Sequence, residues 1–273
     1  MTQNHLIAGN PNESKGFRAY WSTKPAGTAI VFVHGFNGEA VGTWSQFERY
    51  LPQSPRCIGS DLIFFQYDSL YRQCATSAAA LHTLITQLCA DRQGLIHQTL
   101  GFQGIGAQPL AYQKIVLVAH STGAVVARKA LLRMYRNNEA HAQQVSLVLF
   151  APAHLGAHAS QLMGLLSVIP YAGWVPSLLR YRYPPVTELC TGPLGELSQS
   201  LKDLRDETAN ALQNGATYLR ARKVVFGEYD NIVVVGNYCQ DAVFDRAVEK
   251  SHTDVCKPTS TYRDPIEVVL RLI

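Results

Sequence analysis

Short apolar runs rich in β-branched residues alternate along this chain with longer stretches whose apolar positions fall three and four apart. Strands are predicted at residues 28–33 (TAIVFV), 61–66 (DLIFFQ), 115–119 (IVLVA), 145–150 (VSLVLF) and 223–226 (KVVF), with a short edge strand at 17–21. Helices are predicted at 43–51, 76–92, 124–134, 196–213 and 264–272. Ala79, Leu84 and Leu88 make the apolar stripe of the second of these, and Trp44 and Phe47 share a face of the first. Parallel strands need a crossover each, and the intervening helices supply it. The pattern therefore predicts an α/β fold, a mostly parallel central sheet flanked by helices, with the 115–119 strand near its centre. Residues 93–113, rich in Gly and Gln, read as a loop, and residues up to about 25 as a loose arm.

One stretch departs from this rhythm. Residues 157–185 crowd Leu162, Met163, Leu165, Leu166, Val168 and Ile169 among Gly and Pro breaks, too short and broken to span a membrane. Inserted after a sheet strand, this stretch is expected to be a helical lid whose apolar face lines an acyl-binding pocket; a pair of ordinary core helices is the other reading. No linker divides the chain, so residues 1–273 are expected to form one domain.

Composition narrows the function classes. Apolar residues make up 47% and charged residues 16% of 273, which suits a globular core and excludes a disordered chain. The net charge of +4 comes without a Lys/Arg run, so nucleic-acid binding is not expected, and a weak, transient preference for anionic membrane surfaces is as far as charge leads. Six cysteines show neither C-x-x-C pairs nor metal-ligand spacing, and read as scattered buried thiols in a reducing compartment. The N-terminus is polar and lacks the basic start and apolar core of a signal peptide, so a cytoplasmic location is expected.

The chemistry centres on Ala119-His120-Ser121-Thr122-Gly123, between a strand and a helix. A sharp turn there exposes the Ser121 hydroxyl at the carboxyl end of the sheet and leaves the Thr122 N–H free at the helix start to meet an oxyanion. An ordinary strand-to-helix turn with Ser as N-cap is the plainer reading. The segment resembles the G-x-S-x-G nucleophile elbow of α/β-hydrolases, with Ala119 in place of the first Gly. By the same resemblance, the loop His34-Gly35-Phe36-Asn37-Gly38 after strand 28–33 supplies a second oxyanion donor, the Phe36 N–H, while His34 braces the loop. The order Ser121, an acid, then His252 is that of this superfamily, whose acid follows a late strand and whose His precedes the last helix. Asp230 is the preferred acid, Glu228 and Asp254 its rivals; taken alone, Asp230 would be a turn-former.

Within the superfamily, the H-G-F-N-G start, the A-P-A-H-L-G-A segment and S-H-x-x-V-C-K-P resemble serine esterases related to lipid-acting hydrolases. Members usually have T-P-H-x-G-S where this chain has Ala151-Pro152-Ala153-His154-Leu155-Gly156-Ala157. The resemblance implies an α/β-hydrolase fold and hydrolysis of a small-molecule ester or lipid through an acyl-enzyme, with no cofactor and no metal. Lipases, phospholipases and thioesterases use the same triad. Two other readings stay open: His154 and His158, four apart, as metal ligands on one helical face, and a non-catalytic binding module on the same fold.

Overall fold

The computed structural model describes residues 5–8, 16–100, 112–165, 183–192 and 195–273. Among these residues eight strands form one sheet: β1 (His5–Ala8), β2 (Gly16–Ser22), β3 (Thr28–Val33), β4 (Asp61–Gln66), β5 (Lys114–His120), β6 (Val145–Phe150), β7 (Ala221–Tyr229) and β8 (Asp245–Ser251), in the order β1-β2-β4-β3-β5-β6-β7-β8. β1 and β2 pair antiparallel, β2 joins β4 antiparallel, and every later pairing is parallel. The β5 strand is central, as its uninterrupted apolar run predicts: residues 115–120 are buried along its whole length, so no polar face has to alternate with the apolar one.

Both ends of the sheet differ from the sequence expectation. The 17–21 segment is a strand, but not an edge, because residues 5–8 of the supposed loose arm pair outside it. β8 was not expected at all. Its sequence, DRAVEKS, buries only Ala247, because an edge strand with an exposed face needs little apolar surface and so leaves no periodic signal.

The longer helices among the described residues are α1 (Cys74–Ala90), α2 (Arg92–Leu100), α3 (Thr122–Arg136), α4 (Gln199–Gln213) and α5 (Asp264–Leu270). α3 packs against both α1 and α4. The expected loop at 93–113 is helical over its first part, and residues 101–111 lie outside the described residues. Local capping and a tertiary bond make that helix: the Asp91 carboxylate accepts the Gly94 N–H at 2.7 Å, Leu95 and Ile96 are buried, and Arg92 is held by Asp61. The expected helix at 43–51 is instead a one-turn helix, Phe47–Tyr50, between 3-10 turns Gly42–Trp44 and Leu51–Gln53. Ser45 at φ 52° breaks the helical path. Trp44 and Phe47 nevertheless both reach the core, edge to face with centroids 5.9 Å apart. Of the stretch read as a lid, 166–182 lie outside the described residues; its described flanks carry the short helices Ala159–Gly164 and Pro184–Leu189.

Among the described residues no helix is long and apolar enough to cross a membrane. Cys57, Cys74, Cys190 and Cys256 are buried as expected, whereas Cys239 is exposed.

Candidate active site

The site begins where β5 runs into α3. Ser121 sits between them at φ 54°, ψ −124°, a backbone conformation that costs a non-Gly residue roughly 1–3 kcal/mol and persists only where its surroundings impose it. The imposing contacts are visible: the Ser121 N–H donates to the Phe150 carbonyl at 3.0 Å, and the Ser121 carbonyl accepts from Ala124 at 3.0 Å and Ala153 at 3.3 Å. Two glycines permit the crowding. A Cβ on Gly123 would lie 2.3 Å from the His34 carbonyl oxygen, and one on Gly35 would lie 2.7 Å from the Ser121 Cβ. The helix start and the 34–38 loop can therefore close on the same point. Ala119, in the place of the first motif Gly, is wholly buried within β5.

His252 follows β8 and brings its Nε2 to 3.0 Å from Ser121 Oγ; its Nδ1 lies 2.9 Å and 3.1 Å from the two Asp230 oxygens. A carboxylate only accepts, so Nδ1 carries the proton and Nε2 is left to accept the Ser121 hydroxyl. Asp230 also closes its own turn, with Oδ1 accepting the Ile232 and Val233 N–H groups at 3.1 Å and 3.2 Å. Asp230 thus closes its own turn, as the turn-former reading expects, and also lies against His252 Nδ1. Burial pushes its carboxyl up, but the hydrogen bond and charge of His252 and the two N–H donors outweigh that and hold it below its ordinary value. The rivals face elsewhere: Glu228 accepts the Glu249 N–H at 2.9 Å, and Asp254 accepts the Ser251 hydroxyl.

The A-P-A-H-L-G-A segment and the His158 that follows it hold the Asp230 turn in place. The His158 N–H donates to the Ile232 carbonyl at 2.8 Å, and the Val234 N–H to the Gly156 carbonyl at 3.0 Å. His154 turns inward, stacked on Tyr238 at 4.5 Å and 3.0 Å from the Ala124 carbonyl, whereas His158 is exposed. The two do not converge, so the metal-ligand reading fails on geometry. Among the described residues, no group of three His, Cys, Asp or Glu side chains is placed to hold a metal ion.

His34 braces its loop as expected. It is wholly buried, its Nδ1 donates to the Gly35 carbonyl at 2.9 Å, and its ring stacks on Tyr67 at 4.3 Å; the Tyr67 hydroxyl donates to the His34 carbonyl at 2.7 Å. Burial lowers its pKa to about 4, which keeps the ring neutral. Phe36 and Thr122 both lie beside Ser121, and among the described residues neither N–H has an acceptor. His120, not singled out from the sequence, is the residue before the serine; its Nε2 lies 2.9 Å from the His252 carbonyl, to which it donates. A cavity of about 140 Å³ opens over Ser121, bounded by Phe36, Thr43, Leu165, His252 and Lys257 among others. Asn37, at φ 54°, spans this mouth by donating to the Leu165 carbonyl at 2.9 Å.

The model of the family described as "Putative serine esterase (DUF676)" matches residues 26–243. The chain belongs to this serine esterase family. No protein of curated function matches the sequence. Among solved structures, the mature Bacillus licheniformis lipase BlEst2 superposes with a TM-score of 0.54 at 18% identity, covering 97% of each chain. The peroxisomal α/β-hydrolase Lpx1 of Saccharomyces cerevisiae gives 0.51 at 14%, over 99% of this chain and 88% of that one. Phospholipase PlaB of Legionella pneumophila gives 0.55 at 16%, over 90% of this chain but 58% of its own length. At these identities the likeness shows the fold alone: this member of the serine esterase family has the α/β-hydrolase fold.

Proposed function

We propose that this protein is a serine hydrolase of carboxylic esters acting through an acyl-enzyme. The observation that carries the reading is the unbroken line Asp230, His252, Ser121, with contacts of 2.9 Å and 3.0 Å, ending on a hydroxyl held at a strained elbow beside a cavity. A serine hydroxyl is a weak nucleophile at neutral pH, so the neutral His252 Nε2 takes its proton as Oγ bonds to the ester carbonyl carbon. Asp230 fixes the tautomer this requires and stabilises the imidazolium that forms. The tetrahedral oxyanion is met by the Phe36 and Thr122 N–H groups, each worth roughly 10²–10³ in rate. His252 then passes the proton to the leaving alcohol. In the second half it takes a proton from water as the water oxygen attacks the acyl carbon, then returns that proton to Ser121 Oγ as the acyl carbon–Oγ bond breaks and the acid is released. We further propose that residues 1–273 act as one domain, since strands from both ends of the chain share the sheet.

A fluorophosphonate probe followed by peptide mass spectrometry tests this. Labelling at Ser121, absent in Ser121→Ala, is the expected result, and an ester panel of rising acyl length then ranks substrates. No labelling of folded protein, with and without detergent, would shift the reading to a binding module.

A further inference from the structure

The S-H-x-x-V-C-K-P motif supplies His252, but the mechanism above leaves its lysine unused. The backbone carrying Lys257 is pinned on several sides. Val255 and Cys256 are fully buried, the Tyr262 hydroxyl donates to the Val255 carbonyl at 3.0 Å, Cys256 Sγ reaches the Thr43 carbonyl at 3.6 Å, and the Lys257 N–H donates to the Asp254 carbonyl at 2.9 Å. The fixed backbone sets Lys257 at the wall of the cavity over the nucleophile, which it lines together with Ser121 and His252, and the flexible stem lets its charge reach an anion bound there.

Among the described residues no carboxylate lines the cavity, and no acceptor or acid pairs with the Lys257 ammonium. The acids nearest in sequence or in the site are engaged elsewhere, Asp254 with the Ser251 hydroxyl and Asp230 with His252. Lys257 is close enough to be felt by the wall of the site: after burial and the neighbouring His252, its positive charge helps hold the His120 imidazole neutral. An unpaired ammonium in a small, partly desolvated cavity favours an anion strongly, because charge-assisted hydrogen bonds gain where water is scarce. The cavity, at about 140 Å³, is also small beside the roughly 300–1,000 Å³ of pockets that enclose a drug-sized apolar ligand.

We infer that Lys257 is a specificity residue of this site, selecting esters that carry a carboxylate or phosphate within a few atoms of the scissile carbonyl. The inference rests on the esterase reading above. The anion can belong to the acyl part or to the alcohol part, as in a glycerol phosphate ester, and matched substrates separate the two. Monomethyl glutarate against methyl valerate places one charge on the acyl side; 1-butyrylglycerol 3-phosphate against 1-butyrylglycerol places it on the alcohol side.

Followed by pH-stat, the wild type is expected to prefer the charged member of one pair by at least about tenfold in kcat/KM. Lys257→Gln should collapse that ratio toward one, and Lys257→Arg should keep most of it. A ratio near one for both pairs in the wild type, or a ratio unmoved by Lys257→Gln, overturns the assignment; a lysine that merely assisted the oxyanion would slow all four esters alike. Binding is read separately by titration calorimetry on folded Ser121→Ala, with the same four esters. There the charged member should bind at least about tenfold tighter and lose that advantage in Ser121→Ala/Lys257→Gln. Equal binding overturns the anion assignment even if the wild type turns over neither pair, and absent turnover with selective binding overturns only the esterase reading.

Discussion

Two buried carboxylates sit at opposite ends of the sheet, and only one leads to an open cavity. Asp61 opens β4 at the amino end of the parallel strands. It accepts the Ser22 N–H at 2.7 Å, Arg92 Nε at 2.6 Å and Nη2 at 3.0 Å, and the Tyr112 hydroxyl; Arg92 also donates to the Ser22 carbonyl at 3.2 Å. Both side chains of the ion pair are sealed, at 1% and 0% exposure. Asp230, just beyond the carboxyl end of β7, is equally hidden, but its line of contacts passes through His252 to a hydroxyl beside a cavity. The closed network ties β2, β4 and α2 together and stabilises. The open one has the same ingredients, a buried acid with a nitrogen partner, yet ends on a group that can leave its hydrogen bond and react.

Breaking each network separates these roles. Ser121→Ala should reduce ester turnover by a factor on the order of 10⁶, with Tm unchanged in a thermal melt. Asp230→Asn should cost about 10⁴ in kcat through the wrong tautomer, with Glu228→Gln and Asp254→Asn retaining activity in the same assay. A greater loss from Glu228→Gln than from Asp230→Asn would reassign the acid. Asp61→Asn should behave in the opposite way: unfolding in urea should show a loss of about 3–5 kcal/mol, since Arg92 is left buried without its charge partner, while kcat below the melting range stays near wild type. Gly123→Ala joins the two effects. Its Cβ would meet the His34 carbonyl at 2.3 Å, so overpacking should lower stability by about 1–3 kcal/mol and reduce turnover as elbow and loop move apart.

The remaining expected effect is a pH slope. His34, His120 and His154 are buried neutral, chiefly through loss of solvation, with His34 lowered to about 4 and His120 to about 3. Between the ordinary histidine pKa near 6.5 and these folded values, the unfolded chain binds more protons than the folded one. Stability should therefore fall as pH drops from about 6.5 toward 4, each such histidine contributing about 1.4 kcal/mol per pH unit. Urea midpoints across that range should show it, and His34→Asn should remove one proton's share of the slope.

Much of this was legible from side-chain type and order. Fully buried strands such as β3 and β5 must be continuous apolar runs, and the βα alternation then leaves little but a parallel sheet. Ser121, an acid and His252 follow in the order of the α/β-hydrolases, so the resemblance named these candidates before any contact was known. The misses share one physical cause, structure specified by distant partners. α2, with its Gly94 and few apolar residues, is held by Asp91 capping and by Arg92 reaching Asp61, 31 residues away. β8 is a strand because β7 is there to pair with it.

By itself, then, the sequence determined the sheet's core strands, the strand-to-helix turn that presents Ser121, and the candidate set of acid and base. Tertiary structure alone decided which acid meets His252, that His154 faces the core, that Gly35 and Gly123 are small because two backbones converge on Ser121, and that Lys257 lines the cavity with no acid beside it among the described residues. Periodicity reports only which face of an element is buried. Contacts between groups 20 to 130 positions apart depend on where the sheet order brings chain segments together, and that is set by packing of the whole chain.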